Sequence, residues 1–221
     1  MVRKRFSLGW KFERTLRPSG VVLVAGVDEV GRGCWAGPVL AAAAIIPDGL
    51  RHRRLNDSKQ LAADHREELS EFLCSHPEIH WSVGTATVEE IDSHNILRAS
   101  LLAMRRAVEG LRTQPHLCLV DGNQKAGLGC QEVTIVDGDG RCPSIAAASV
   151  IAKVTRDRMM RELAVLYPAY GLENHKGYGT PEHQRALTLH GPSPIHRRSF
   201  KPIQLHAGAE TGDDAGDREL W

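Results

Sequence analysis

A chain of 221 residues, 42% hydrophobic and 25% charged, has the composition of an ordinary globular protein, long enough for one large domain or a domain with a small extension. A net charge of +1 carries no global polyelectrolyte signature, so any nucleic-acid footprint has to be local. No apolar run is long enough to span a membrane, no apolar signal core follows the charged N-terminus, and the five cysteines lack C-x-x-C spacing, which points to reduced thiols in a cytoplasmic protein.

Residues 1–19 are basic and irregular and are expected to form a partly ordered lead-in. A strand is expected over about 21–28, because Val21-Val22-Leu23-Val24-Ala25-Gly26-Val27 is uncharged, the mark of burial on both faces. Asp28-Glu29 stands where that strand ends, and a buried carboxylate is costly unless paired, hydrogen-bonded or metal-bound. Gly31-Arg32-Gly33 follows, two residues without Cβ that let backbone approach a ligand, flanking a guanidinium suited to phosphate. Val39 to Ile46 reads as a second strand, antiparallel to the first because the link between them is short and glycine-rich. Pro47-Asp48-Gly49 ends it with turn chemistry. Asn56-Asp57-Ser58-Lys59 precedes a helical pattern over 61–74, with Leu69, Phe72 and Leu73 on one side. His80 to Val88 alternates as a third strand.

A short helix or turn is expected over 88–95, then a helix over 96–111 whose face is Leu97, Leu101, Met104 and Val108. The compact strand His116 to Val120 ends at Asp121-Gly122-Asn123, and the strand Gln131 to Val136 ends at Asp137-Gly138-Asp139-Gly140. Pro143-Ser144 opens a long helix to about Leu166, small-faced at Ala146, Ala147, Ala148 and Ser149 and charged later. An irregular stretch over 170–179 leads to a helix over 181–190, and His196-Arg197-Arg198-Ser199-Phe200 closes the ordered part. The polar segment 207–221 is expected to be a disordered tail.

Three strand-like segments thus end in acids: Asp28-Glu29, Asp121 and Asp139. An α/β fold gathers such ends at one sheet edge, where ligands bind. Carboxylates converging without lysines to balance them repel one another unless cations are present, and hard oxygen ligands suit Mg²⁺ or Mn²⁺. Two such ions about 3.5–4 Å apart form the clamp used for in-line phosphodiester hydrolysis. Glu29 poses a difficulty, since consecutive strand residues point to opposite faces.

At this point the sequence resembles the type 2 ribonuclease H (ribonuclease HII) family. The resemblance is carried by Asp28-Glu29-Val30-Gly31-Arg32-Gly33 with Ala36-Gly37-Pro38, by Leu55-Asn56-Asp57-Ser58-Lys59, and by Ile91-Asp92 with Asn95-Ile96-Leu97. It continues through Asp121-Gly122-Asn123, residues 147–157, His175-Lys176-Gly177-Tyr178 and residues 196–200, covering about 21–203. It implies a ribonuclease H-like α/β fold, a mixed sheet flanked by helices, with a catalytic domain over 20–167 and a helical substrate-binding extension over 168–206. It also implies divalent-metal-dependent cleavage of RNA within RNA–DNA hybrids and at single ribonucleotides embedded in duplex DNA. The carboxylates that match the family's metal site are Asp28, Glu29, Asp121 and Asp139, with Asp137 and Asp157 as the other candidates for the fourth. Gly31, Arg32, Gly33 and Tyr178 match its reader of the DNA–RNA junction.

Two departures from the family pattern stand out. Cys34-Trp35 occupies a place where smaller or aliphatic residues are expected, and Asp137-Gly138-Asp139-Gly140 lacks the expected basic residue before Gly-Asp and serine after it. Lys153 either faces a phosphate or lies on a solvated helix face, His175-Lys176 either touches the backbone or is merely exposed, and His196-Arg197-Arg198 is read as a phosphate-positioning cluster. The expected partners are RNA–DNA hybrid and ribonucleotide-containing DNA, with no membrane and no obligate protein partner, so a monomer. Three rivals compete. A DNA nuclease or strand-transfer enzyme on the same fold has no use for a 2′-hydroxyl reader, a non-catalytic hybrid binder would normally have lost one of the acids, and a nucleotide-binding loop fails on glycine spacing.

Overall fold

The uncharged run before Asp28 lies at the centre of a five-stranded sheet of order β3-β2-β1-β4-β5. The computed structural model describes residues 8–55 and 61–207. Strand β1 (Val24–Val30) pairs antiparallel with β2 (Val39–Ile45) and parallel with β4 (Leu117–Asp121). β2 pairs antiparallel with β3 (His80–Ala86), and β4 pairs parallel with β5 (Gln131–Ile135). Because β1, β4 and β5 run the same way, their carboxyl ends share one edge of the sheet. The strand over Val21 to Leu23 does not form: β1 meets its first β4 partner at Val24, opposite Leu117, and Val22 is 71% exposed. Val21 closes a turn instead, its N–H donating to the Pro18 carbonyl at 3.2 Å, and β-branched residues alone do not make a strand where no ladder continues.

Helices cover both faces. α4 (Ile96–Glu109) packs through Ala99, Ala103, Met104 and Ala107 on the face formed by Ala25, Val27, Ala41 and Ala43. α2 (Ala63–Ser75) and α5 (Pro143–Leu166) cover the other face, where Leu69, Leu73 and Ala146 to Ala148 meet Leu40, Ala42 and Ala44. Alternation along β2 therefore divides its alanines between two cores. Small residues here permit close approach: a Cβ at Gly26 would collide with the Ser144 backbone. The first turn of α5 thus lies directly across the central strand.

α1 (Trp10–Thr15) occupies part of the segment whose sequence reads as an irregular lead-in. Its Glu13 is buried, and Glu13 Oε2 accepts from both the N–H and the hydroxyl of Ser144 at 3.0 Å. α3 (Val88–His94) begins with a Thr87–Glu90 capping box. Beyond α5 come α6 (Leu172–His175), α7 (Pro181–His190) and α8 (Lys201–Ala207), packed on Ala36, Met160 and Ala164 through Leu172, Leu187 and Ile203. The ordered chain therefore continues past Phe200, because Ile203 gives α8 an apolar anchor. Asn56 to Lys59, and the tail reading beyond Ala207, lie outside the described residues. Among the described residues no helix is long and apolar enough to cross a membrane.

Candidate active site

The parallel register that aligns Val27 with Val120 places Asp28 and Asp121 side by side at the next step. Asp121 lies at the end of β4, and its Oδ1 accepts from the Gly138 N–H at 2.6 Å. That bond draws in the short 3₁₀ turn Gly138–Gly140, which carries Asp139. Asp28 and Asp139 are each only 7% exposed. Burial, then the negative charges of Asp121 and Glu29, and finally that of Asp139, push the Asp28 carboxyl well above its usual range; a hydrogen bond with Ser149 partly offsets this. Four acids therefore lie within electrostatic reach of one another.

β1 ends one residue after Glu29, whose carboxylate meets Arg32 at 3.1 Å and whose charge also acts on Asp28. Asp137, exposed and left-handed at φ 54°, precedes the 3₁₀ turn, whereas Asp139 within it is buried. Asp157 pairs instead with Lys153 one turn away, at 2.7 Å. The geometry thus brings together Asp28, Glu29, Asp121 and Asp139.

An oxygen-only donor set, buried at Asp28 and Asp139 and mutually repelling, fits a hard divalent cation. Among the described residues no three acidic, histidine or cysteine side chains close on one point. A cation held there would keep water or phosphate oxygens among its ligands.

The glycine loop splits into two roles. Gly31 has φ +91°, and its missing side chain makes room for the guanidinium of Arg156 rather than for a ligand. Gly33 has open space where a Cβ would point, and Arg32 beside it is exposed. Arg156, which the sequence pattern does not single out, is fully buried and donates to the carbonyls of Pro38, Lys176 and Ala36 at 3.1, 3.0 and 3.1 Å. Only its position as an arginine on an otherwise buried helix face hints at this.

The basic cluster near the C-terminus is not a single surface. His196 and Arg197 are fully buried, so the reading of Arg197 as a phosphate contact is corrected. Its Nε donates to the Gly37 carbonyl at 2.9 Å and its Nη1 to the Arg32 carbonyl at 3.0 Å. Burial lowers its pKa to about 10. Arg198 alone of the pair is exposed. Asp92 holds this segment, accepting from the N–H groups of Arg198 and Ser199 at 3.0 and 2.9 Å.

Tyr178 is 41% exposed, with the buried Cys34 beside its phenol and Lys153 Nζ 5.9 Å from its ring. The backbone N–H of Trp35 donates to the Gly177 carbonyl at 2.8 Å, and a Cβ at Gly179 would collide with the Trp35 indole. The unusual Cys34-Trp35 pair is therefore the floor of the Tyr178 loop. His175 is buried rather than exposed.

The family model described as Ribonuclease HII matches residues 25–203. A ribonuclease HII of Desulfitobacterium hafniense is 50% identical over 192 residues, spanning 87% of this chain and 74% of that protein. One from Paracoccus denitrificans is 52% identical over 195 residues, spanning 88% and 92%. Among solved structures, the ribonuclease H2 from Pyrococcus horikoshii superposes with a TM-score of 0.71 at 28% identity, covering 85% of this chain and 98% of that one.

Proposed function

The chain belongs to the ribonuclease HII family, and from that premise we propose that Asp28, Glu29, Asp121 and Asp139 form the divalent-metal site at which it cleaves its substrate. The enzyme is a metal-dependent endoribonuclease that cuts RNA in RNA–DNA hybrids and at ribonucleotides embedded in DNA. The observation that supports the site is the convergence of acids at one sheet edge: the register that sets Asp28 beside Asp121, and the Gly138 N–H bond to Asp121 that brings the buried Asp139 turn against it. We assign Mg²⁺ or Mn²⁺ on the oxygen donor set. When bound, two such ions supply Lewis-acid polarisation of the phosphodiester and of the attacking water, the route that leaves 5′-phosphate and 3′-hydroxyl ends.

The chain's own residues carry the remaining work. Asp28 and Asp121, on adjacent parallel strands, fix the acidic edge rigidly, and the Gly138 N–H orients Asp121. Gly33, where a Cβ would point into open space, lets a 2′-hydroxyl, which both donates and accepts, come close to the backbone, with the exposed Arg32 side chain beside it. Tyr178 presents a flat face to the neighbouring deoxyribose. Lys153 and Arg198 are partly or fully exposed and suit phosphates, which position the duplex without reading sequence. The catalytic unit is 20–167 and the substrate-binding extension 168–206.

Incubation with duplex DNA carrying one ribonucleotide, with and without Mg²⁺, tests the reading. Mg²⁺-dependent cutting at the ribonucleotide is expected, with 5′-phosphate and 3′-hydroxyl products. Equal cutting of an all-DNA duplex, or cutting in the presence of a chelator, would overturn it.

A further inference from the structure

Three buried histidines of the C-terminal extension take no part in the acidic cluster: His175, His183 and His196. His175 stacks on His183 with ring centroids 4.5 Å apart, and His183 Nε2 meets His196 Nε2 at 3.0 Å. Backbone partners decide where each proton sits. His183 Nδ1 lies 3.0 Å from the Tyr178 carbonyl, which can only accept, so Nδ1 carries the hydrogen and the neutral ring leaves Nε2 bare. His196 Nδ1 accepts from the Ser193 N–H at 3.0 Å, so its hydrogen is on Nε2. The contact between the rings is then a hydrogen bond from His196 to His183. A one-way relay runs from the Ser193 N–H through both rings to the Tyr178 carbonyl. It is complete only when both rings are neutral, and burial favours that state by lowering both pKa values to about 4.

We propose that His183 and His196 are positioning residues for substrate choice, their relay holding the Tyr178 main chain so that its phenol is presented to the ribonucleotide junction. This rests on the reading of Tyr178 given above. The side chain of Tyr178 is half-exposed while its backbone is tied on every side. Its N–H donates to the His175 carbonyl at 2.9 Å, and its carbonyl accepts from Thr180 N–H at 2.8 Å as well as from His183. A recognition group on a main chain ordered in advance loses little freedom on contact. Trp35, 5.6 Å from the His183 ring centroid, completes the packing beneath the loop. One residue beyond His196, Arg197 reaches the Arg32 carbonyl at 3.0 Å. The same short segment therefore braces both halves of the proposed junction reader.

A purely structural role would lower stability and leave the choice of substrate alone. The test compares kcat/KM on a duplex with one ribonucleotide against kcat/KM on a long RNA–DNA hybrid, at matched salt and Mg²⁺. His183→Phe keeps a flat ring but removes the donor to Tyr178, whereas His183→Asn keeps an N–H near Nδ1. The single-site to long-hybrid ratio is expected to fall about tenfold in His183→Phe, the scale of one hydrogen bond, and to recover most of that in His183→Asn. In a Tyr178→Ala background, His183→Phe is expected to change the ratio no further. His196→Gln against His196→Leu repeats the comparison at the other ring, should His183→Phe fail to fold. An unchanged ratio in the donor-deleted variants, equal losses in both members of a pair, or a full effect in the Tyr178→Ala background overturns the relay. An unchanged ratio in Tyr178→Ala itself overturns the reading of Tyr178, and the proposal with it.

Discussion

Arg156 fills the space that a side chain at Gly31 would need. Its guanidinium spends all its named bonds on backbone carbonyls, two in the loop after the signature and one at Lys176. The catalytic sheet and the C-terminal extension are thus joined through one buried fork. Gly31→Ala meets a left-handed φ of +91° and the guanidinium at once, and is expected to cost at least about 2 kcal/mol. Arg156→Lys replaces a planar fork by one ammonium that does not span three carbonyls, and a loss of about 3 kcal/mol is expected. Urea unfolding measures both, and an unfolding midpoint unchanged in either variant contradicts this role.

Asp28→Asn and Asp121→Asn are expected to abolish cleavage while leaving binding of hybrid largely intact. The fold has no need of the charge, since Asp28 sits among other acids, and removing one relieves repulsion in the metal-free protein. Loss of cleavage by about a thousandfold or more matches the removal of a group that stabilises transition-state charge. Asp139→Asn is expected to follow them, and Asp137→Asn to retain most activity because that side chain is exposed. Turnover and filter binding in Mg²⁺ decide, and near-normal turnover by Asp28→Asn removes it from the site.

Most of the architecture is legible in residue patterns. The helices α4 and α5 and the strands they cover lie close to where periodicity places them, and the acids at strand ends point to one edge; the packed face of α4 is instead rotated toward Ala99, Ala103 and Ala107, beside Met104 and Val108, and leaves Leu97 exposed. What escapes is whatever depends on the third dimension. Arg156 and Arg197 look like surface cations in sequence, and only packing shows that they are turned inward onto carbonyls. Trp35 looks out of place until Gly179 is seen lying on its ring. Glu13 is six residues into the described chain, in a segment that reads as irregular, and its partner Ser144 is on the far side of the sequence.

That contact supplies a helix cap in trans. α5 begins after Cys142, which offers no side-chain cap of its own, and Glu13 satisfies the Ser144 N–H in its place. An acid at a helix N-terminus also suits the helix dipole. Glu13→Ala is expected to cost about 1–2 kcal/mol, and Glu13→Gln, which keeps an acceptor, distinctly less. Equal losses would assign the effect to charge rather than to capping.

The buried histidines make stability depend on pH in a defined direction. His183 and His196 have folded-state pKa values lowered from 6.5 to about 4, chiefly by burial. Between those values the unfolded chain takes up protons that the folded chain refuses, so stability falls as the pH falls. Their contribution is therefore fully present above pH 6.5 and is lost progressively down to about pH 4. Each histidine accounts for about 1.4 kcal/mol per pH unit where its unfolded form is mostly charged and its folded form is not. Asp28 works the other way, since its raised carboxyl favours the folded state on acidification, so wild type alone gives a mixed profile. The difference between wild type and His183→Asn cancels the carboxylates. Urea unfolding at pH 7, 6 and 5 in chelator is expected to show the gap between the two narrowing by about 1 kcal/mol in the last step. Parallel profiles for the two proteins would mean that His183 titrates alike in both states, and would contradict a ring held neutral between His196 and the Tyr178 carbonyl.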